Sequence, residues 1–129
     1  MSNKRKLAEE LFCRTNNPYC KEARISFTRL SNGNRNPLTG SVEEMFDHYS
    51  YPMSNSFQKA FINILEYLPT QNGSLYCIQG YVWNYLTNYT AHHKAGDRAK
   101  MRTGNENIDN IIQYLEYLYD TDPDSRFEH

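Results

Sequence analysis

The side chains that most often carry chemistry are scattered in this chain. His92 and His93 are adjacent. On a helix, neighbours point about 100° apart, so this pair cannot readily share a metal ion. His48 and His129 add nothing at ligand spacing. Asp47-His48 and Glu43-Glu44 could supply acid–base groups, but consecutive helical residues face different directions. No serine or cysteine stands in a nucleophile-elbow context. Cys13, Cys20 and Cys77 are odd in number and lack C-x-x-C spacing, the pattern of reduced, mostly buried thiols. Residues 96–104 run from Gly96 to Gly104 like a phosphate loop but lack the terminal G-K-[ST] that would place a lysine and a hydroxyl on a phosphate. The expectation is a protein without catalytic residues, metal or cofactor.

Three groupings remain, all suited to recognition. Lys94, Arg98, Lys100 and Arg102 follow an aromatic stretch. Cations for phosphates with rings for bases is the arrangement of single-strand nucleic-acid binders. Against that, Asp97 interrupts the run and the formal net charge is −1, whereas such modules are usually clearly basic. The second grouping is acidic: Glu116, Asp120 and Asp122, with Asp124 and Glu128 beyond. These could serve as a polar rim or imitate phosphates, and complementarity of this kind raises association rate and specificity.

The third grouping is aromatic. Eleven tyrosines and one tryptophan occur in 129 residues, and tyrosine can close a core or anchor an interface at low entropic cost. On a helix over residues 75–89, Tyr76 and Trp83 share a flank outside the apolar stripe. Tyr117 falls nearly opposite the apolar face of the last helix, with Tyr114 at its edge; Tyr81 is also off-stripe. Tyr67, Tyr85, Tyr89 and Tyr119 fall on apolar stripes and read as packing. Tyr19 joins them if its segment is helical, and Tyr49 and Tyr51 sit near a helix end.

The elements that must position these groups follow from spacing and punctuation. Leu7, Ala8, Leu11 and Phe12 mark an amphipathic helix over 3–14. Asn17-Pro18 reads as an N-cap and N1 pair, opening a seam of Tyr19, Ala23, Phe27 and Leu30. A competing strand or short hairpin near residues 24–39 would use Ile25 and Phe27 on one face. Ser41 and Glu44 form a capping box for a short helix ending near Tyr49, before Pro52. Ser54 or Ser56 caps the next helix, with Phe57, Ala60, Phe61, Ile64 and Leu68 on one face, stopped by Pro69 and Asn72-Gly73. Leu75, Ile78, Val82, Tyr85, Leu86 and Tyr89 form a further stripe, which can run on toward Gly96. Asn105 caps the last helix, whose face carries Ile108, Ile111, Ile112, Leu115, Leu118 and Tyr119 and which ends at Asp122-Pro123.

The totals fit an all-α single domain of five or six short helices with an acidic tail over 121–129. A chain of this length buries about two-thirds of its unfolded surface. No apolar run reaches membrane-spanning length and no signal-peptide core follows Met1, so a cytoplasmic protein is expected. Charge is segregated: residues 1–40 carry eight cations against three acids, and residues 105–129 seven acids against one arginine. The abundance of Asn, Tyr, Ile and Lys resembles an AT-rich coding bias. The expectation is a non-catalytic protein–protein interaction module, in its most specific form a mobile-element inhibitor of a host nucleic-acid-handling or defence complex. Its partner-binding residues would be Tyr76, Trp83, Tyr114, Tyr117, Glu116, Asp120 and Asp122. The alternatives are a nucleic-acid module using Lys94, Arg98, Lys100 and Arg102, and an oligomeric sponge, such as a homodimer, for a small anionic ligand.

Overall fold

The computed structural model describes residues 8–13, 17–31, 55–69, 78–91 and 102–121. Among them the chain is all-helical. Residues 8–10 are helical and tighten into a 3-10 turn, Leu11–Cys13. Four α-helices follow: α1 (Cys20–Leu30), α2 (Asn55–Leu65), α3 (Ile78–Ala91) and α4 (Glu106–Thr121). The strand alternative gives way to α1 over residues 24–30, because Ile25 is 40% exposed while Phe27 is fully buried. A strand would have put both on one face. Residues 32–39 and the segment expected to form a helix at 41–49 lie outside the described residues. No described helix is long and apolar enough to cross a membrane.

Each helix end has a chemical reason, and two differ from expectation. Asn17 does not cap α1. Its Oδ1 accepts the Tyr19 N–H at 3.0 Å and its carbonyl the Cys20 N–H at 3.2 Å, a side-chain-stabilised turn, and Tyr19 takes the N-cap position. The Asn17 Nδ2 donates to the Tyr114 carbonyl at 3.3 Å, tying the start of α1 to α4. Ser56 lies inside α2 rather than capping it, and Ser54 is outside the described residues. At the other end of α2, Gln79 is buried; its Nε2 donates to the Leu65 carbonyl at 2.9 Å and its N–H to the Pro69 carbonyl at 3.0 Å. One residue of α3 thus satisfies an orphan carbonyl of α2 and fixes the corner between them.

The start of α4 is the most fully tied. Asn105 Oδ1 accepts the N–H groups of Asn107 (2.9 Å) and Ile108 (3.2 Å), the expected N-cap bonds. Asp109 then reaches back, its carboxylate accepting the Thr103 N–H and hydroxyl, both at 2.8 Å, and the Gly104 N–H at 3.2 Å. Gly104 adopts φ 90°, a conformation that side chains with a Cβ resist. This clasp holds the strand of chain that carries Arg102.

The core is built around α4, with α1 on one flank and α3 on the other. Ile108, Ile111, Ile112, Leu115, Leu118 and Tyr119 are all buried, as the spacing predicts. Toward α1, Phe12 sits between Phe27 (5.0 Å) and Tyr114 (4.9 Å), and Asn110 Nδ2 donates to the buried Ser26 hydroxyl at 3.0 Å. Toward α2, Phe57 meets Tyr119 edge-on at 5.5 Å. Each fully buried side chain of this size contributes about 1.5–3 kcal/mol.

Candidate functional site

The flank of α4 facing α3 carries Glu116 and Asp120, one helical turn apart, opposite Tyr85 and Tyr89, also one turn apart. Tyr85 hydrogen-bonds Glu116, and the Tyr89 hydroxyl donates to Asp120 Oδ2 at 2.5 Å. The two pairings advance in the same direction along both helices, so α3 and α4 run parallel here. The rings of Tyr85 and Tyr89 stack at 6.4 Å, and the Tyr119 hydroxyl donates to the Thr90 carbonyl at 3.4 Å.

Arg102 closes this ladder from outside. Its Nη2 donates to Glu116 Oε1 at 3.1 Å, its Nη1 to Oε2 at 3.3 Å and to the Tyr85 hydroxyl at 3.3 Å. This fork places a guanidinium over a carboxylate that is only 5% exposed, while the arginine side chain keeps 31% of its own surface. Burial, then the hydrogen bond and charge of Glu116, push the Tyr85 phenol above its ordinary value near 10, and Arg102 pulls the other way. For Arg102, burial works against the cation, but Glu116 and then Tyr85 outweigh it and hold the guanidinium above its ordinary value.

Beside the ladder lies a cleft of about 200 Å³ lined by Tyr19, Arg102, Gln113, Glu116, Tyr117 and Asp120. Tyr19 and Tyr117 meet edge to face, ring centroids 5.7 Å apart. A cofactor pocket is typically about 300–1,000 Å³, so this cleft has room for a single side chain. A larger open groove of about 480 Å³ follows the outer face of α1 along Glu9, Arg24, Ile25, Thr28 and Arg29. It offers one exposed aliphatic group and no aromatic wall, so the cleft is the better candidate.

Of the residues that the sequence nominates for partner binding, Glu116, Tyr117 and Asp120 line this cleft. Trp83 does not: it is 9% exposed and stacks on Phe61 at 6.2 Å. The reason lies in α3, which buries a second flank. Gln79, Thr87 and Thr90 look like a solvent face, yet all three are buried. Gln79 caps α2, while the Thr87 hydroxyl bonds the Trp83 carbonyl at 2.8 Å and Thr90 the Thr87 carbonyl at 3.1 Å. Hydroxyls satisfied by their own helix can be buried cheaply, and Trp83 goes in with them.

Tyr114 is likewise buried, against Phe12, because α1 packs over the edge of the α4 stripe. Glu116 is buried beneath Arg102, with an edge in the cleft lining. That bridge also commits Arg102, the one described member of the basic run, to an internal partner. Tyr76, Asp122, Lys94, Arg98 and Lys100 lie outside the described residues, as do His48, His92 and His93. Tyr19, which packs only if its own position is helical, is 37% exposed. It precedes the first turn of α1 with φ −102° and ψ 2°, so the helical seam does not extend to it. Gln113 carries no distinguishing sequence signal. Searches of protein-family models, curated proteins and solved structures return no match for this chain.

Proposed function

We propose that this chain is a small non-catalytic protein–protein interaction module whose recognition surface is the cleft rimmed by Tyr19, Tyr117 and Asp120. The observation that carries the reading is the pair of partly exposed tyrosine rings in edge contact beside a carboxylate, on the outside of the best-buttressed helix. Tyrosine is among the residue types most enriched at binding hot spots, and rings held by a packed helix lose little freedom on association. The neighbouring ionisable groups have structural work: Glu116 and Arg102 bind each other, and Asp109 clasps the start of α4. In its specific form the module inhibits a host nucleic-acid-handling or defence complex and is encoded by a mobile element; small size and AT-rich composition support that form.

Affinity capture from cell lysate, with and without nuclease, tests the reading. A protein partner that survives nuclease and is lost with Tyr117→Ala is the expected result, since a hot-spot ring is worth about 2 kcal/mol or more, roughly thirtyfold in affinity. A catch consisting only of RNA or DNA overturns it.

A further inference from the structure

Helix α1 turns Ala23, Ser26 and Phe27 into the core. Taking about 100° per residue, Arg24, Thr28, Lys21, Ile25 and Arg29 follow one another around the opposite side within about 140° of arc. All five are exposed. Ile25, 40% exposed, has Lys21 one turn before it, Arg29 one turn after it and Arg24 beside it in sequence. Among the described residues none of these three cations has a carboxylate partner; Arg29 Nη1 donates at 3.4 Å to the neutral Asn107 Oδ1. The groove of about 480 Å³ along this face is lined by Glu9, Arg24, Ile25, Thr28 and Arg29, a formal balance of one positive charge, with Lys21 adjoining.

This arrangement discriminates among occupants. A neutral apolar surface would cover Ile25 but dehydrate its cations without return. A nucleic-acid duplex presents one negative charge about every 1.7 Å along its axis. Such a continuous polyanion would meet Glu9 in the groove and Glu22 beside Arg29 on the helical wheel, and no aromatic ring in the groove offers a base a stacking face. A few discrete carboxylates set around an apolar residue avoid both costs. We infer that the outer face of α1 docks an acidic amphipathic helix of a partner protein, with an apolar residue of that helix on Ile25 and its carboxylates on Arg24 and Arg29. The two arginines are five positions apart, about 7.5 Å along α1, and carboxylates one turn apart on a partner helix, about 5.4 Å, fall within reach of such long side chains. A guanidinium fork also matches a carboxylate bidentately. This surface shares no lining residue with the tyrosine cleft and goes beyond the reading proposed for it.

The test titrates the isotopically labelled full chain with a blocked helical peptide of about fifteen residues, alanine and leucine with glutamates one turn apart beside the leucine stripe. The same peptide with glutamine for every glutamate, and a short DNA duplex, are titrated in parallel. The readout is the amide NMR signals of residues 21–29. Expected are saturable shifts with the glutamate peptide in the range of about 0.1–1 mM, weakening in high salt, and no shifts with the other two probes. Arg24→Gln combined with Arg29→Gln should weaken the response about tenfold, or about threefold for each exposed ion pair. Ile25→Ala should weaken it about fivefold through lost apolar contact. All three positions are exposed, so circular dichroism should show the fold unchanged. Equal shifts with the glutamine peptide, shifts indifferent to the arginine variants, shifts with DNA alone, or none with any probe overturn the inference. Tyr117→Ala should leave the peptide response unchanged; its loss there would put the peptide in the cleft and overturn the α1 site. Lysate capture lost with Tyr117→Ala alone, with no peptide response at residues 21–29, overturns this inference and leaves the cleft reading standing.

Discussion

Trp83→Ala decides between a core and an interface role for the only tryptophan. The ring is 9% exposed and stacks on Phe61 with an interplanar angle of 15°. A buried aromatic ring removes about 150–250 Å² from water, which at about 25 cal/mol per Å² gives roughly 4–6 kcal/mol. Compactness of the unfolded chain lowers that figure, and the cavity left beside Phe61 raises the cost, so about 3–5 kcal/mol is expected. For a chain of this size each kcal/mol moves Tm by about 3–5 °C, and the variant should therefore melt roughly 10–20 °C below the wild type. Far-UV circular dichroism during heating, with urea unfolding alongside, reads this directly. Trp83→Phe, which retains a ring against Phe61, should recover more than half of the loss. A Trp83→Ala protein melting within about 2 °C of wild type would refute the packing argument, since surface substitutions rarely exceed about 0.5 kcal/mol.

Three other perturbations probe the frame of the cleft. Arg102→Ala should destabilise more than Glu116→Gln, because it strands a carboxylate that is 5% exposed while the converse leaves an arginine with 31% of its side chain in water. The first cost should fall between the about 0–1 kcal/mol of exposed pairs and the 3–5 of buried ones, and chemical denaturation of both variants and the double variant measures it. Asn105→Ala removes the acceptor for two N–H groups of α4 and should cost about 1 kcal/mol, visible in the same assay. Tyr85, held above its ordinary pKa near 10, should ionise later than exposed tyrosines in an alkaline titration followed at the phenolate absorbance, and Tyr85→Phe should remove that late component. A raised folded pKa stabilises fully below pH 10 and progressively less above it, so wild-type stability should fall as pH rises past 10 more steeply than that of Tyr85→Phe.

The sequence makes α4 legible because its two signals agree: an apolar stripe at helical spacing and an asparagine at the right offset to cap it. Helix α1 is legible for the same reason, although Asn17 spends its side chain on a turn and on Tyr114 rather than on a cap. Helix α3 is readable only on one side. Taking 100° per residue, the apolar stripe accounts for the flank of Val82, Leu86 and Tyr89, and the polar residues Gln79, Thr87 and Thr90 suggest that the next flank is wet. They are dry because each finds its partner in backbone carbonyls, a solution that leaves no trace in hydrophobic periodicity. The cleft is least legible of all. Arg102 and Glu116 are fourteen positions apart and meet through the Asp109 clasp and the parallel course of α3 and α4, and Tyr19 reaches Tyr117 across ninety-eight positions.

The same parallel course explains why tyrosine is so frequent at this contact. Two helices packed side by side with carboxylates on one of them need donors on the other, and a phenol supplies a ring for the core and a hydroxyl for the acid. Tyr85 and Tyr89, spaced by one turn, meet Glu116 and Asp120, spaced by one turn. The acidity of this helix is therefore partly internal. Glu116 is bound by Tyr85 and Arg102, and Asp120, half-buried at the cleft, has its geometry set in part by Tyr89. The packing contact between α3 and α4 thus sets the geometry of the acidic end of the cleft, with Tyr85 and Tyr89 behind it and Tyr19 and Tyr117 in its lining.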